Sequence, residues 1–151
     1  MKVQIKKTDP DVALPQYHTS ESAGFDIASN RDIIIAPGEV AKIPTGLVIA
    51  APYGHFLLIA ARSSLPLKKG LTMTNGIGVV DPDFAGPNDE INIIVYNFTK
   101  EAVEVKKGER IAQGLFLPVE QAQWEEVGEL REINRGGMGS TGGYSEADNN
   151  N

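Results

Sequence analysis

DIIIAPGEVAKIPTGLVIAAPYGHFLLIAA, residues 32–61, decides the fold class. It holds four short runs of apolar and β-branched side chains: Asp32 to Ile35, Val40 to Ile43, Leu47 to Ala51 and Phe56 to Ala61. Pro37-Gly38 and Pro52-Tyr53-Gly54 punctuate them. Proline presets φ and glycine accepts positive φ, so these groups reverse the chain. The runs suit a pleated surface and are too short for a stable helix. The pattern continues outward, at Val3 to Lys6, Val79 to Val80, Glu90 to Phe98, Ala102 to Val105 and Ile111 to Leu117. Val103 and Val105 alternate with Glu104 and Lys106, and Lys107-Gly108 supplies the next turn. Many short strands between such turns predict an all-β antiparallel sandwich or barrel. The one helix expected is short, from Ser63 to about Lys69, with Gly70 ending it.

The chain has 151 residues, about the length of one domain. Its 14 basic and 20 acidic side chains give a formal charge of −6. Such a surface repels a phosphate backbone at long range, so no nucleic-acid partner is expected. A small phosphorylated ligand is compatible with it, because a few local cations can override the net field. The absence of cysteine removes disulfides, thiolate catalysis and Cys-based zinc sites. His18 and His55 are the only histidines, too few for a His-rich metal site. No stretch approaches the ~20 apolar residues of a membrane span, and MKVQIKKTDP lacks the apolar core of a signal peptide. A soluble cytoplasmic protein with no membrane partner is expected. From Arg131 the composition changes, and NRGGMGSTGGYSEADNN (134–150) has little to bury. Residues 1–130 are therefore expected to form the folded domain and 131–151 a mobile tail.

Five segments could carry chemistry, and each has a plainer reading beside the functional one. In the tail, Arg135 precedes Gly136-Gly137-Met138-Gly139-Ser140-Thr141-Gly142. By composition this is a disordered terminus. Glycines that let backbone approach closely, hydroxyls that donate and an Arg that pairs with phosphate could also fold over a nucleotide. Ala61-Arg62-Ser63-Ser64-Leu65-Pro66 reads equally as a serine N-cap and as an anion cradle. Asn75-Gly76-Ile77-Gly78-Val79-Val80-Asp81-Pro82-Asp83-Phe84-Ala85-Gly86 contains ordinary turn pairs. Yet Val79-Val80 is apolar up to Asp81, which predicts a carboxylate at the end of a buried strand, able to polarise a water. Ala23-Gly24-Phe25-Asp26-Ile27-Ala28-Ser29 offers one carboxylate. Gly108-Glu109-Arg110-Ile111-Ala112-Gln113 offers a cation and an amide. These last two are more often structural than functional.

In this order the five segments resemble the motifs of the trimeric dUTP pyrophosphatases: AGFDIAS the first, ARSSLP the second, NGIGVVDPDF the third, GERIAQ the fourth and GGMGSTG the fifth. The resemblance runs from about Ala23 to Gly142. It implies a jelly-roll-like, distorted β-barrel, a homotrimer with active sites at subunit interfaces, and Mg²⁺-dependent hydrolysis of dUTP to dUMP and pyrophosphate. That reaction limits uracil in DNA and supplies dUMP for thymidylate synthesis. By the same resemblance, Asp81 activates the water that attacks the α-phosphorus, and Asp83 steadies its loop. Phe84 lies under the deoxyribose and leaves no room for a 2′-hydroxyl. Asn75, with the backbone through Gly78, Val79 and Val80, reads uracil. Arg62, Ser63 and Ser64 cradle phosphate. Asp26 and Gln113 orient the phosphates and the water shell of Mg²⁺, Asp26 acting on the metal through water. Arg135, Met138, Gly139, Ser140 and Thr141 close over the nucleotide.

The chain departs from the family pattern in three places. Met138 stands where an aromatic ring usually stacks on uracil. Ile133 occupies the usual place of the tail arginine, and Arg135 is offered instead. Pro87-Asn88-Asp89 is an inserted turn before Glu90-Ile91. The core chemistry is expected to survive all three, with weaker tail closure. A deoxycytidine triphosphate deaminase of the same fold usually carries another Arg and a small residue after the paired serines, and Leu65-Pro66-Leu67 supplies neither. A non-catalytic regulator has no need of Asp81.

Overall fold

Apolar runs between Gly- and Pro-bearing turns become strands. The computed structural model describes residues 1–134 and Gly136, so the expectations placed on Arg135, Met138, Gly139, Ser140 and Thr141 lie outside the described residues. The strands are β1 (Gln4–Lys7), β2 (Phe25–Ala28), β3 (Ile33–Ile35), β4 (Val40–Pro44), β5 (Leu47–Ala50), β6 (His55–Ala61), β7 (Leu71–Met73), β8 (Ile77–Val80), β9 (Asn92–Asn97), β10 (Val103–Val105) and β11 (Arg110–Pro118). The helix α1 (Leu65–Lys69) lies between β6 and β7. All strand pairs are antiparallel, in the orders β2-β11-β6-β8, β4-β9-β7, β1-β5 and β10-β3. Partners far apart in sequence, such as β2 with β11 and β4 with β9, give the crossing connections of a jelly roll. The four ladders do not join into one closed cylinder, so the barrel is distorted, as expected.

One compact unit spans Met1–Glu120, and a second begins at Gln121. Gln121 to Asn134 add no strand or helix. Among the described residues, no helix is long and apolar enough to cross a membrane.

The core lies under the inner faces of the sheets and includes Ile27, Ile35, Ile43, Leu57, Leu71, Ile93, Val95, Val105 and Ile111, all nearly inaccessible. In the sheet that carries β2, β11, β6 and β8, one inward row reads Phe25, Gly114, Ile59, Gly78. A Cβ on Gly114 would stand 2.5 Å from the Phe25 ring, and one on Gly78 would stand 3.2 Å from the Cβ of Ile59. Both glycines therefore have a packing reason to be small. The opposite row reads Asp26, Gln113, Ala60, Ile77, and it faces outward.

Two strands were not foreseen. β7 is three residues long and β2 is interrupted by a charge, so neither shows a sustained period. The edge strand β8 differs from its expectation in another way. Val80 packs toward the core, but Val79 is 59% exposed, so Asp81 does not follow a buried strand. Consecutive apolar residues in a strand face opposite sides, and here the outer side is itself apolar.

Candidate active site

The outward row of the sheet begins at Asp26, which β2 holds through a backbone bridge from its N–H to the carbonyl of Gln16, 3.1 Å. Its side chain is 15% exposed and faces two guanidiniums and an imidazole. Oδ1 is ion-paired with Arg62 Nε at 3.1 Å. Oδ2 meets Arg110 Nη1 at 3.1 Å and His18 Nε2 at 3.0 Å. Gln113 is the register partner of Asp26 on β11, so the two side chains share the outer face. Arg62 follows the last residue of β6. Its N–H donates to the Ile111 carbonyl at 3.4 Å, and its Nη1 donates to the Arg110 carbonyl at 3.3 Å. A guanidinium has five N–H donors. Two of them are committed here, which leaves three for an incoming anion.

The turn after Arg62 is closed by Leu65 N–H on the Arg62 carbonyl, 2.9 Å, and leads into α1. Pro66 sits in the first turn, where its missing N–H costs nothing. Gly70 ends the helix at φ 65. Ser64 occupies the N-cap position, but its side chain makes no capping hydrogen bond. The cap reading of this segment is therefore not what the structure holds, and the hydroxyl is left for other partners.

At the far end of α1 and β7, Asn75-Gly76 turns the chain into β8. Gly76 takes φ 67, and Ile77 N–H donates to the Asn75 carbonyl at 2.7 Å. β8 then runs antiparallel to β6, with Ile77 opposite Ala60 and Val80 opposite Leu57. Asn75 thus lies at the Arg62 end of the sheet, and Asp81, Asp83 and Phe84 lie at the other. Leu57 to Arg62 is five residues, roughly 16 Å of strand. One chain brings Asp26, Arg62, Gln113 and the serines together and keeps Asp81 and Phe84 away from them.

His18 and Arg110 complete the cluster, and sequence reasoning had not placed them on Asp26. Arg110 was visible as a cation near Gln113. Nothing in the sequence marked His18, because its contact depends on the loop before β2 folding back. Remote from the site, a hydrogen bond to Glu104 raises the pKa of Lys106, with desolvation opposing it and the charges of Glu104 and Asp32 adding to it.

Fold and site together define the class first: a jelly-roll-like, distorted β-barrel that carries two arginines paired with one aspartate on an outer sheet face. The dUTPase family model matches residues 11–142. The deoxyuridine 5'-triphosphate nucleotidohydrolase of Nautilia profundicola is 45% identical over 144 residues, covering 94% of this chain and 99% of that one. The enzyme of the same name from Thermobifida fusca is 42% identical over 149 residues, covering 96% and 81%. The crystal structure of dUTPase from Streptococcus mutans is similar with a TM-score of 0.75 at 32% identity, covering 82% of this chain and 100% of that one. The chain belongs to the dUTPase family.

Proposed function

We propose that this protein hydrolyses dUTP to dUMP and pyrophosphate at sites assembled between subunits of a homotrimer. The observation that carries the reading is the separation of its two halves. Arg62, Asp26 and Gln113 form a phosphate-binding half at one end of β6. Asp81 and Phe84 form a catalytic and sugar-binding half at the other end. A second copy that brings its own Asp81 to this Arg62 completes a site. The outer face between the halves supports such a contact. Ile77 and Val79 are 48% and 59% exposed, and Phe56, Leu58, Leu115 and Leu117 share their side of the sheet. A contiguous apolar face of this kind is a surface for association. With Asn75 and Asp81 on the same copy, a nucleotide lying across the junction meets base recognition from one subunit and phosphate recognition from the next.

In the reaction, the oxygen of a water bonds to the α-phosphorus and the bond from that phosphorus to the bridging oxygen breaks. Pyrophosphate leaves with the electron pair, and the proton of the water passes to the Asp81 carboxylate. Arg62, Ser63 and Ser64 bind the leaving phosphates, with Asp26 and Gln113 orienting them. Asn75 and the backbone at Gly78, Val79 and Val80 read uracil, Asp83 steadies the loop, and the exposed Phe84 ring carries the sugar. Arg135, Met138, Gly139, Ser140 and Thr141, in the tail 131–151, close over the nucleotide.

Mg²⁺ fits this site as a companion of the triphosphate. Among the described residues, no group of three or more His, Cys, Asp or Glu is placed to hold a metal. Asp26, with both oxygens already engaged, suits a contact made through water. Asp26 and Gln113 would hold its water shell, and a bound Mg²⁺ would supply charge neutralisation to the leaving pyrophosphate.

The test is pyrophosphate release from dUTP, dTTP, dCTP and UTP with Mg²⁺. Release from dUTP alone is expected. Ammonia release from dCTP, or dUTP binding without pyrophosphate, contradicts the reading.

A further inference from the structure

The inserted turn Pro87-Asn88-Asp89 is the part of the chain that the family pattern leaves without a role. It lies in the loop that leaves β8 at Asp81 and enters β9, the loop that carries Asp81 and Phe84. The first half of that loop is a turn closed by Phe84 N–H on the Asp81 carbonyl, 3.2 Å, with Ala85 N–H on the Asp83 carbonyl, 2.8 Å. Its second half begins at Gly86 and is closed twice by one residue. The Gly86 N–H donates to Asp89 Oδ2 at 2.7 Å, and Asp89 N–H donates back to the Gly86 carbonyl at 3.2 Å. A Cβ on Gly86 would stand 2.8 Å from Asp89 Oδ2, so a side chain there would displace the carboxylate. The turn is also tied outward. Lys6 Nζ, on β1, donates to the Pro87 carbonyl at 3.0 Å. Glu90 Oε1 accepts from Gly46 N–H at 2.6 Å, and Ile91 N–H donates to the Leu47 carbonyl at 2.9 Å.

We infer that Asp89 is a positioning residue for the reaction, holding through Gly86 the angle at which the loop presents Asp81 and Phe84. The chain leaves β8 from an exposed edge, so the near side of the loop has only one sheet neighbour to orient it. Its far side is anchored at β1, at the β4–β5 turn and at β5. Asp89 connects that anchored side to the turn that carries the two site residues. An ionised carboxylate is the stronger acceptor for a backbone N–H, and an amide oxygen can still accept the same bond. The inference rests on the assignment of Asp81 and Phe84 made above.

The experiment compares wild type with Asp89→Ala, Asp89→Asn and, as a control on that assignment, Asp81→Asn, using kcat and KM for dUTP and UTP and the melting temperature of each. A displaced base costs rate rather than binding, so Asp89→Ala is expected to lose roughly ten-fold in kcat with KM for dUTP within about two-fold. Its preference for dUTP over UTP is expected to fall too, because Phe84 moves with the same loop. Asp89→Asn restores most of both. Wild-type kinetics in Asp89→Ala beside an inactive Asp81→Asn would overturn the inference while leaving the assignment intact. Equal losses in Asp89→Ala and Asp89→Asn, tracking a lowered melting temperature, would overturn it too, as the mark of a purely structural residue. An active Asp81→Asn would sink the assignment and this inference with it.

Discussion

Asp26 pairs with the guanidiniums of Arg62 and Arg110 and meets the His18 ring while remaining 15% exposed, and in the proposed site this makes it the counter-ion that holds the arginines in place before an anion arrives. Arg62 is fixed at its Nε, so its outer donors point from a settled plane. Asp81 is in a different situation. It lies past an exposed edge strand, and its carbonyl, not its side chain, shapes the turn it begins. Replacing it with Asn therefore removes a base without removing a structural bond. Asp81→Asn is expected to lower turnover by roughly 10²- to 10⁴-fold while binding of a non-hydrolysable dUTP analogue persists, read by pyrophosphate release and by calorimetry. Turnover near wild type contradicts the assigned base. At this scale the sequence made Asp26, Arg62, Gln113 and Asp81 visible as candidates, because each stands beside turn or strand signals. It did not make visible which of them meet. That depends on register, and the contact between His18 and Asp26 depends on a bridge from Gln16 that no local pattern announces.

The four-stranded sheet that carries the site is held flat against the core by its glycines. Gly114 lies opposite Phe25, whose ring packs edge-on to Tyr17 at 5.7 Å and tilted to Phe116 at 5.6 Å. Gly114→Ala places a methyl group within 2.5 Å of that ring and pushes apart β2 and β11, the strands that carry Asp26 and Gln113. It is expected to destabilise by roughly 1–3 kcal/mol, measured as a shift in the denaturant midpoint. An unshifted midpoint means the ring has room that the packing denies. The second strand set depends on Asn97, fully buried on β9. Its Nδ2 donates to the carbonyls of Ile35, Ala36 and Glu101 at 3.0, 3.1 and 2.8 Å. Its Oδ1 accepts from Thr99 N–H and Oγ1 at 2.9 and 2.8 Å. Sequence reading placed this Asn inside an apolar run and could say nothing more, since its partners come from β3 and from the turn after β9. Short runs carrying β-branched residues between turn signals were legible as strands, and Gly38, Gly54 and Gly108 take the positive φ their turn signals implied. β7 and β2 were too short or too mixed to declare themselves. β8 was placed correctly and oriented wrongly, because two adjacent valines look buried until an outer apolar face is known to exist.

At the level of the whole molecule, one chain carries the two halves of the proposed site and an apolar surface between them. The compact unit ends at Glu120, so truncation after Leu130 is expected to leave the melting temperature of the barrel unchanged. Turnover of dUTP is expected to fall, because Arg135, Met138, Gly139, Ser140 and Thr141 go with the tail. Unchanged kcat/KM removes the closure assigned to that segment. The proposed division of the site between copies carries the heavier consequence, because it would make catalysis a property of the assembly. It is tested most directly by unfolding Asp81→Asn and Arg62→Ala chains together in equal amounts, refolding them as mixed assemblies and measuring pyrophosphate release from dUTP. Each variant alone is expected to be nearly inactive. In the mixture, half the junctions receive an intact Asp81 and half of those meet an intact Arg62, so about one quarter of wild-type activity is expected to return. Mixed assemblies as inactive as their parents would place Asp81 and Arg62 in the same chain's site and contradict the account.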